Sequence, residues 1–371
     1  MPPAFVVRFS PTGPWRIGPD SGERDRVETM LHSDALYSAV SASMAQLGLL
    51  GEWLEAAFRN PDGPAVRFSS CYPFQDELAF VVPPSSLWPP PASLKVRWKG
   101  ARFAPLKVVE DLLAERPLDE ERWRVDGLSQ CLVPADWSRG PFQPAIRSNA
   151  AVDRLSGNAV AHRTACLEFS PGAGMWAMAA FAGEEAKARW MEPVEAALRL
   201  LADSGLGGER ARGWGRFQQP EFREGTLPDL VLGPGPADDS DGGTGPGPAT
   251  TSEAATPEAG RGPTAAQGAA PPPATEAAYW LLSLFSPAEK DRVDWGRGHY
   301  SLLARGGRVE SPSAHGGLKK VSRMIAEGSV IFSGTPPDGE AVDVAPDGVS
   351  HPVYRAGFAL AVPIPYKEAS R

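Results

Sequence analysis

Apolar positions fall into short runs along this chain, and the spacing within each run indicates its element. AFVVRFS (4–10) reads as a strand, and LHSDALYSAVSASMAQLG (31–48) as an amphipathic helix with Ser33 or Asp34 placed to N-cap it. Strands are expected at 66–72, 78–83, 94–98, 101–104 and 175–182. MEPVEAALRLLADSG repeats apolar residues at Val194, Ala197, Leu198 and Leu201, a helical spacing over 190–204 that Gly205 would end in a left-handed C-cap. WGRFQQPEF then reads as a strand. The order of elements is that of a β-α-β-β-α-β unit with insertions.

A second body repeats the pattern without repeating the sequence. AAYWLLSLFSP (277–287) and HYSLLARGG (299–307) are expected strands, KKVSRMIAEG (319–328) a short helix, and SVIFSG (329–334) and VYRAGFALAVPIP (353–365) strands. Between the bodies, residues 233–276 contain no aromatic residue and no Val, Ile, Leu or Met. Such a segment buries too little apolar surface to offset its ordering entropy, so it reads as a disordered Pro/Gly/Ala-rich linker. The expected organisation is α+β: one domain over 1–232, the linker, and a smaller domain over 277–371, as the length of 371 residues also favours.

The net charge of −8 bears on partners only through its distribution. Asp238, Asp239, Asp241, Glu253, Glu258 and Glu276 stand against Arg261 alone in and beside the linker, so the folded bodies are nearly neutral. A nearly neutral body can carry a focused basic groove. Cys71, Cys131 and Cys166 are odd in number and lack C-x-x-C spacing, which points to a reducing, cytoplasmic setting without disulfides or a zinc knuckle. AFVVRF is too short for a signal segment, and no apolar run reaches membrane-spanning length.

The chemistry concentrates in GLGGERARGWGRF (205–217), where five glycines enclose Arg210, Arg212, Arg216 and Trp214. Gly207, Gly208 and Gly213 would let backbone N–H groups approach an oxyanion, arginine forks match phosphate, and Trp214 could stack on an unpaired base. The same loop would also serve as a helix-to-strand turn with solvated arginines. No Gly-Lys-Ser/Thr closes it, and no strand precedes it as a dinucleotide fingerprint requires. QPAIRSNAAVDRLSGNAVAHRTACLEF (143–169) reads as a basic β-hairpin carrying Arg147, Arg154, His162 and Arg163 around a Ser156-Gly157-Asn158 turn, or as a solvated meander. Lys319, Lys320 and Arg323 would share one face of the expected helix and could meet RNA or a partner. Of the five histidines, His32 is the candidate general base, because a helix N-terminus draws phosphate; His32-Ser33-Asp34 would equally make a capping turn. H-E-x-x-H, G-x-S-x-G and His/Cys clusters are absent, so neither a metal site nor another cofactor is expected and the chain reads as a binder.

These motifs resemble a known family. The glycine-rich loop after a helix is similar to the signature of RAMP proteins, the RNA-binding subunits of CRISPR interference complexes. LHSDALYSAV, AVDRLSGNA with LEFSPGAGMWAM, GLKKVSRMIAEGSV and HPVYRAGFALAVPI resemble the branch formed by the fourth Csm subunit of type III-A complexes, in the Cas-five group. The resemblance implies two modified ferredoxin-like (RRM-like) domains in tandem, with residues 143–168 as a thumb. It implies a non-catalytic subunit that caps the crRNA 5′ handle and contacts the large polymerase/cyclase-like subunit and the backbone RAMP. Gly207, Gly208, Arg210, Arg212 and Gly213 would line the handle, Arg147, Arg154 and Arg163 would contact RNA from the thumb, and His32 and Ser33 would sit near the same groove. The rival expectation on the same fold is a metal-independent RAMP endoribonuclease with His32 as base; a third is a protein scaffold whose basic loop is merely solvated.

Overall fold

The chain was analysed as a computed structural model that describes residues 1–19, 21–90, 98–233, 277–309 and 316–366. The expected linker, apart from Gly233, and the expected strand residues 94–97 lie outside these. The N-terminal body runs β1 (Pro3–Phe9), α1 (Ser33–Gln46), α2 (Leu50–Leu54), β2 (Val66–Phe68), β3 (Tyr72–Gln75), β4 (Leu78–Val81), β5 (Ala104–Pro105), α3 (Leu106–Leu113), β6 (Trp123–Asp126), β7 (Cys131–Pro134), β8 (Phe142–Val152), β9 (Ala159–Phe169), β10 (Ala173–Phe181), α4 (Glu184–Ser204), β11 (Glu221–Thr226) and α5 (Asp229–Leu232).

Its main sheet is antiparallel in the order β11-β1-β10-β3-β4-β5, with β2 also pairing β10. The succession β1-α1-β3-β10-α4-β11 is the β-α-β-β-α-β order read from the sequence. β10 is buried at every position, so its run of Met, Trp, Ala and Phe carries no period-two alternation. The helices α1 and α4 pack against each other. Leu36, Tyr37, Val40 and Met44 form the buried stripe of α1, and Trp190, Val194, Ala197, Leu198 and Leu201 that of α4, three to four residues apart as a helix face requires. α4 begins at Glu184, six residues before the expected start. The strand expected to open at Trp214 begins only at Glu221, because the residues between close the loop described below.

The C-terminal body comprises β12 (Ala277–Leu281), β13 (Val293–His299), β14 (Leu302–Arg305), β15 (Ser322–Ile325), β16 (Val330–Ser333), β17 (Gly339–Asp343), β18 (Tyr354–Phe358) and β19 (Ala361–Ile364). Its sheet has the order β13-β16-β12-β19, and β14-β15 and β17-β18 form separate ribbons. Among the described residues this body has no helix, which corrects the expected tandem of two α+β units. Residues 319–328 form β15 and a turn, not a helix. Val321, Met324 and Ile325 fit helical spacing, but the pairing of Ser322–Ile325 with Leu302–Arg305 satisfies their backbone in a ladder instead. The last expected strand breaks at Ala359-Leu360, and its halves pair with different partners.

One apolar core runs through both bodies. Along β12, Ala278 and Trp280 point into the core shared with Phe68, Phe80 and Trp176, while Tyr279 and Leu281 point into a smaller cluster with Phe285, Ile325 and Ile331. Helix α1 serves both sides, since Tyr37 meets Phe68 at 4.8 Å and Phe358 at 5.6 Å between ring centroids. Polar ties cross the same seam. Tyr72 donates its hydroxyl to the Leu282 carbonyl (2.8 Å), and the Trp280 indole donates to that of Val82 (3.1 Å). Gly328 sits at φ +81°, and a Cβ there would stand 2.5 Å from Val82 Cγ1, so only glycine fits the seam at that point.

Candidate nucleic-acid interface

Three segments distant in sequence meet: residues 10–19 and 21–28, the root of the β8–β9 hairpin and the Gly/Arg loop, joined by the bridges Trp15↔Leu167 and Arg16↔Gly208. The loop leaves α4 through Gly205, whose N–H bonds Leu201 O at 2.8 Å. Gly205 has φ +84° and ψ 150°, so its conformation is extended in ψ and differs from the expected left-handed cap. The loop then closes on itself through Leu206 N–H to Gly215 O (2.9 Å) and lies along the exit of β1. Gly208 donates to Arg16 O (2.8 Å), Gly215 to Pro14 O (3.0 Å) and Gly213 to Arg210 O (2.9 Å). A Cβ on Gly207 would stand 2.3 Å from Arg16 O.

Gly205, Gly207 and Gly215, where a Cβ would meet a backbone carbonyl at 2.0–2.6 Å, therefore serve close packing of one backbone segment on another. That corrects the expected phosphate cradle at Gly208 and Gly213, whose N–H groups are bonded within the chain. Trp214 is only 8% exposed and its ring offers no stacking face for a base, a second correction. Arg210, Arg212 and Arg216 are exposed. Arg212 pairs with Glu209 at 2.9 Å and meets His162 Nε2 on the hairpin at 3.1 Å.

The hairpin has two 11-residue strands in register from Phe142↔Phe169 to Val152↔Ala159. Its root is buried at Phe142 and Ala165–Leu167, while residues 151–160 are wholly exposed. Asp153 holds the tip by accepting from Leu155 N–H (2.9 Å) and Ser156 Oγ (2.5 Å), with Gly157 at φ +70°. The ladder register separates its cations. Arg147 and His162 share one face, with Arg147 donating to Glu168 at 2.8 and 3.1 Å, and Arg163 lies on the other. Arg154 stands exposed in the tip.

Sequence reasoning missed Arg16, which joins all three segments. It is 7% exposed and donates to the carbonyls of Glu23 (2.7 Å), Arg24 (3.0 Å), Arg26 (3.2 Å) and Ala165 (2.9 Å), while its own carbonyl receives Gly208. Burial lowers its pKa, and Glu209 nearby opposes that shift. Nothing in the local PWRIG sequence marks it, because every partner is a backbone carbonyl.

The His32-Ser33-Asp34 motif lies elsewhere, in the seam. His32 is 4% exposed, and its Nδ1 is 2.7 Å from Glu327 Oε1, which also accepts the Ser70 hydroxyl. Ser33 Oγ accepts Leu284 N–H at 3.1 Å. Asp34 accepts from Arg305 at 3.0 and 3.1 Å and from Arg355 at 3.1 Å. Burial pushes the Asp34 carboxyl upward, but Arg305, His32 and Arg355 outweigh it and hold the group below its ordinary range. Glu327 behaves alike: burial raises it, and His32 and Ser70 bring it below its usual value.

The N-cap residue of α1 is His32, without a side-chain capping bond, so neither Ser33 nor Asp34 caps the helix. His32 and Ser33 are internal ties between the bodies, which corrects their expected place beside an open groove. Lys319 and Lys320 stand on the C-terminal ribbon. Lys319 is half-buried, and Lys320 is exposed and paired with Asp347 at 3.1 Å.

Residues 274–364 match the family model of the CRISPR Csm4 C-terminal domain. Over that segment the chain is Csm4-like. In three dimensions it is similar to a chain of the crystal structure of the Csm3–Csm4 subcomplex in the type III-A CRISPR-Cas interference complex. That match has 14% identity and a TM-score of 0.58, and covers 98% of this chain and 100% of that one. It is also similar to a chain of the Csm1–Csm4 cassette in complex with cA4, at 17% identity and a TM-score of 0.53, over 99% of this chain and 100% of that one. At these identities the likeness is one of fold. No curated protein matches the chain in sequence. Among the described residues, no helix of this Csm4-like chain is long and apolar enough to cross a membrane.

Proposed function

We propose that this Csm4-like chain is a non-catalytic RNA-binding subunit of a type III-A Csm complex, where it caps the 5′ repeat handle of the crRNA and bridges a Csm1-type large subunit to a Csm3-type backbone subunit. On this reading the N-terminal body is a ferredoxin-like RAMP domain, and the hairpin is the thumb that ends the handle. The single observation that carries the RNA reading is the convergence of the exposed loop arginines Arg210, Arg212 and Arg216 with the hairpin that bears Arg147, Arg154 and Arg163.

Phosphate is met by guanidinium forks, since the glycine amides at 208, 213 and 215 are already bonded. Arg16 and the glycines contribute by holding the loop against the hairpin root. Single-stranded RNA suits such a site, because its bases can unstack around the hairpin. The nuclease alternative loses its proposed base: His32 is buried and engaged by Glu327, out of reach of a bound phosphodiester.

The test is a gel shift with repeat-derived handle RNA, beside a denaturing gel for cleavage. The expected result is binding without cutting. Arg210→Ala/Arg212→Ala should flatten the slope of log K against log salt by about 1.4, two phosphate contacts at roughly 0.7 each for a single strand. Site-specific cutting, or binding unmoved by the arginine changes, would overturn the reading.

A further inference from the structure

Arg212 reaches the hairpin from a tightly framed turn. Glu209 at φ +61° and Gly213 at φ +78° are both left-handed and bracket the single helical turn Arg210–Arg212. That turn sets the Arg212 guanidinium 2.9 Å from Glu209 and 3.1 Å from His162 Nε2 on β9. A guanidinium stays charged and only donates, so Nε2 has to accept with its lone pair. The contact therefore selects the neutral imidazole with its proton on Nδ1. The ring meets charge from two elements. From the loop it faces Arg212 and Glu209, and Glu209 also acts on Arg16. From its own hairpin it shares a face with Arg147, which Glu168 engages at 2.8 Å, and it stands opposite the uncharged Asn149.

We infer that His162 is a proton-gated phosphate contact. As neutral imidazole it latches Arg212 to the hairpin; as imidazolium it releases Arg212 and joins it in holding an RNA phosphate between loop and hairpin. Protonation removes the accepting lone pair and sets a second positive charge against the guanidinium, so the two groups part. A phosphodiester placed between them offsets that repulsion. Binding of the phosphate and binding of the proton then favour each other, as linkage requires of two ligands that prefer the same state. While the ring is neutral, it competes with the phosphate for the Arg212 donors.

The gate rests on the proposed RNA role of loop and hairpin, so ring chemistry and RNA binding are read separately on the full chain. With the histidine rings labelled, 15N shifts at about pH 8 should show the His162 proton on Nδ1. Arg212→Ala should move it, because the hydrogen bond at one nitrogen sets where the proton sits. The affinity for handle RNA, followed by fluorescence anisotropy at constant ionic strength, should rise about ten-fold from about pH 8 to about pH 6. His162→Gln gives Arg212 an acceptor that does not titrate, and should remove this pH dependence while leaving the melting midpoint in place. A pH dependence kept by His162→Gln, or missing from the unaltered chain, overturns the assignment. So does a ring proton found on Nε2 at the higher pH, whatever the RNA does. If the unaltered chain binds no RNA at either pH, the RNA role falls and the gate falls with it, and the ring shifts then show whether the latch itself exists.

Discussion

Replacing Asp34 by alanine removes the carboxylate that two buried arginines of the C-terminal body share. The Asp34, Arg305 and Arg355 side chains are 6%, 12% and 4% exposed, so water cannot take over the missing partner. Three charge-assisted hydrogen bonds of 3.0–3.1 Å disappear at once, and both guanidinium groups lose the Asp34 carboxylate. Breaking a buried pair from one side costs about 3–5 kcal/mol, more than the pair's net contribution, because the stranded charge remains desolvated. At roughly 2 °C per kcal/mol for a chain larger than 150 residues, the midpoint should fall by about 6–10 °C. Thermal melting followed by tryptophan fluorescence reads this directly, since Trp53, Trp176 and Trp280 are buried in the shared core. Asp34→Asn should fall between the two, as the amide keeps one acceptor. A D34A midpoint within 1–2 °C of wild type, roughly 1 kcal/mol or less, would refute the seam as a polar lock.

The same seam sets a response to acid. Asp34 and Glu327 are both held below their ordinary values when folded, so their stabilisation is complete above about pH 5 and is lost as pH falls through the lower folded values. Melting between pH 6 and 2.5 should show that loss, and Asp34→Asn/Glu327→Gln should flatten it. Arg16→Ala leaves the carbonyls of Glu23, Arg24, Arg26 and Ala165 without their donor, at about 1–3 kcal/mol for each that stays buried. Limited proteolysis should then cut the hairpin between 142 and 169 sooner, before global unfolding. Gly328→Val drives a side chain into Val82 and the Pro83 carbonyl at positive φ and should destabilise by about 2–4 kcal/mol in urea denaturation. Trp214→Phe should leave RNA affinity unchanged in the gel shift, since the ring is buried in the loop.

Local periodicity carried most of the element assignment. The apolar stripes of α1 and α4, the buried run of β10 and the turn-centred pattern of the β8–β9 hairpin are each encoded within 10 to 30 neighbouring residues, and each stands where that pattern puts it. The glycine-rich loop was also legible as the turn following α4. What its glycines do was not. Gly207 and Gly208 are shaped by Arg16, nearly two hundred residues earlier, and no local pattern reveals that contact.

The larger misreadings share this cause. KKVSRMIAEG has helical spacing, and only the pairing with residues 302–305 makes it a strand. His32, Ser33 and Asp34 have the composition of a helix cap, yet their partners Glu327, Leu284, Arg305 and Arg355 lie 251–321 residues away. By itself, then, the sequence determined helices α1 and α4, the central strands, the hairpin and the family likeness, because these rest on short-range spacing. Tertiary structure alone decided which polar groups are buried and which stay exposed, because burial depends on what the other half of the chain places against them.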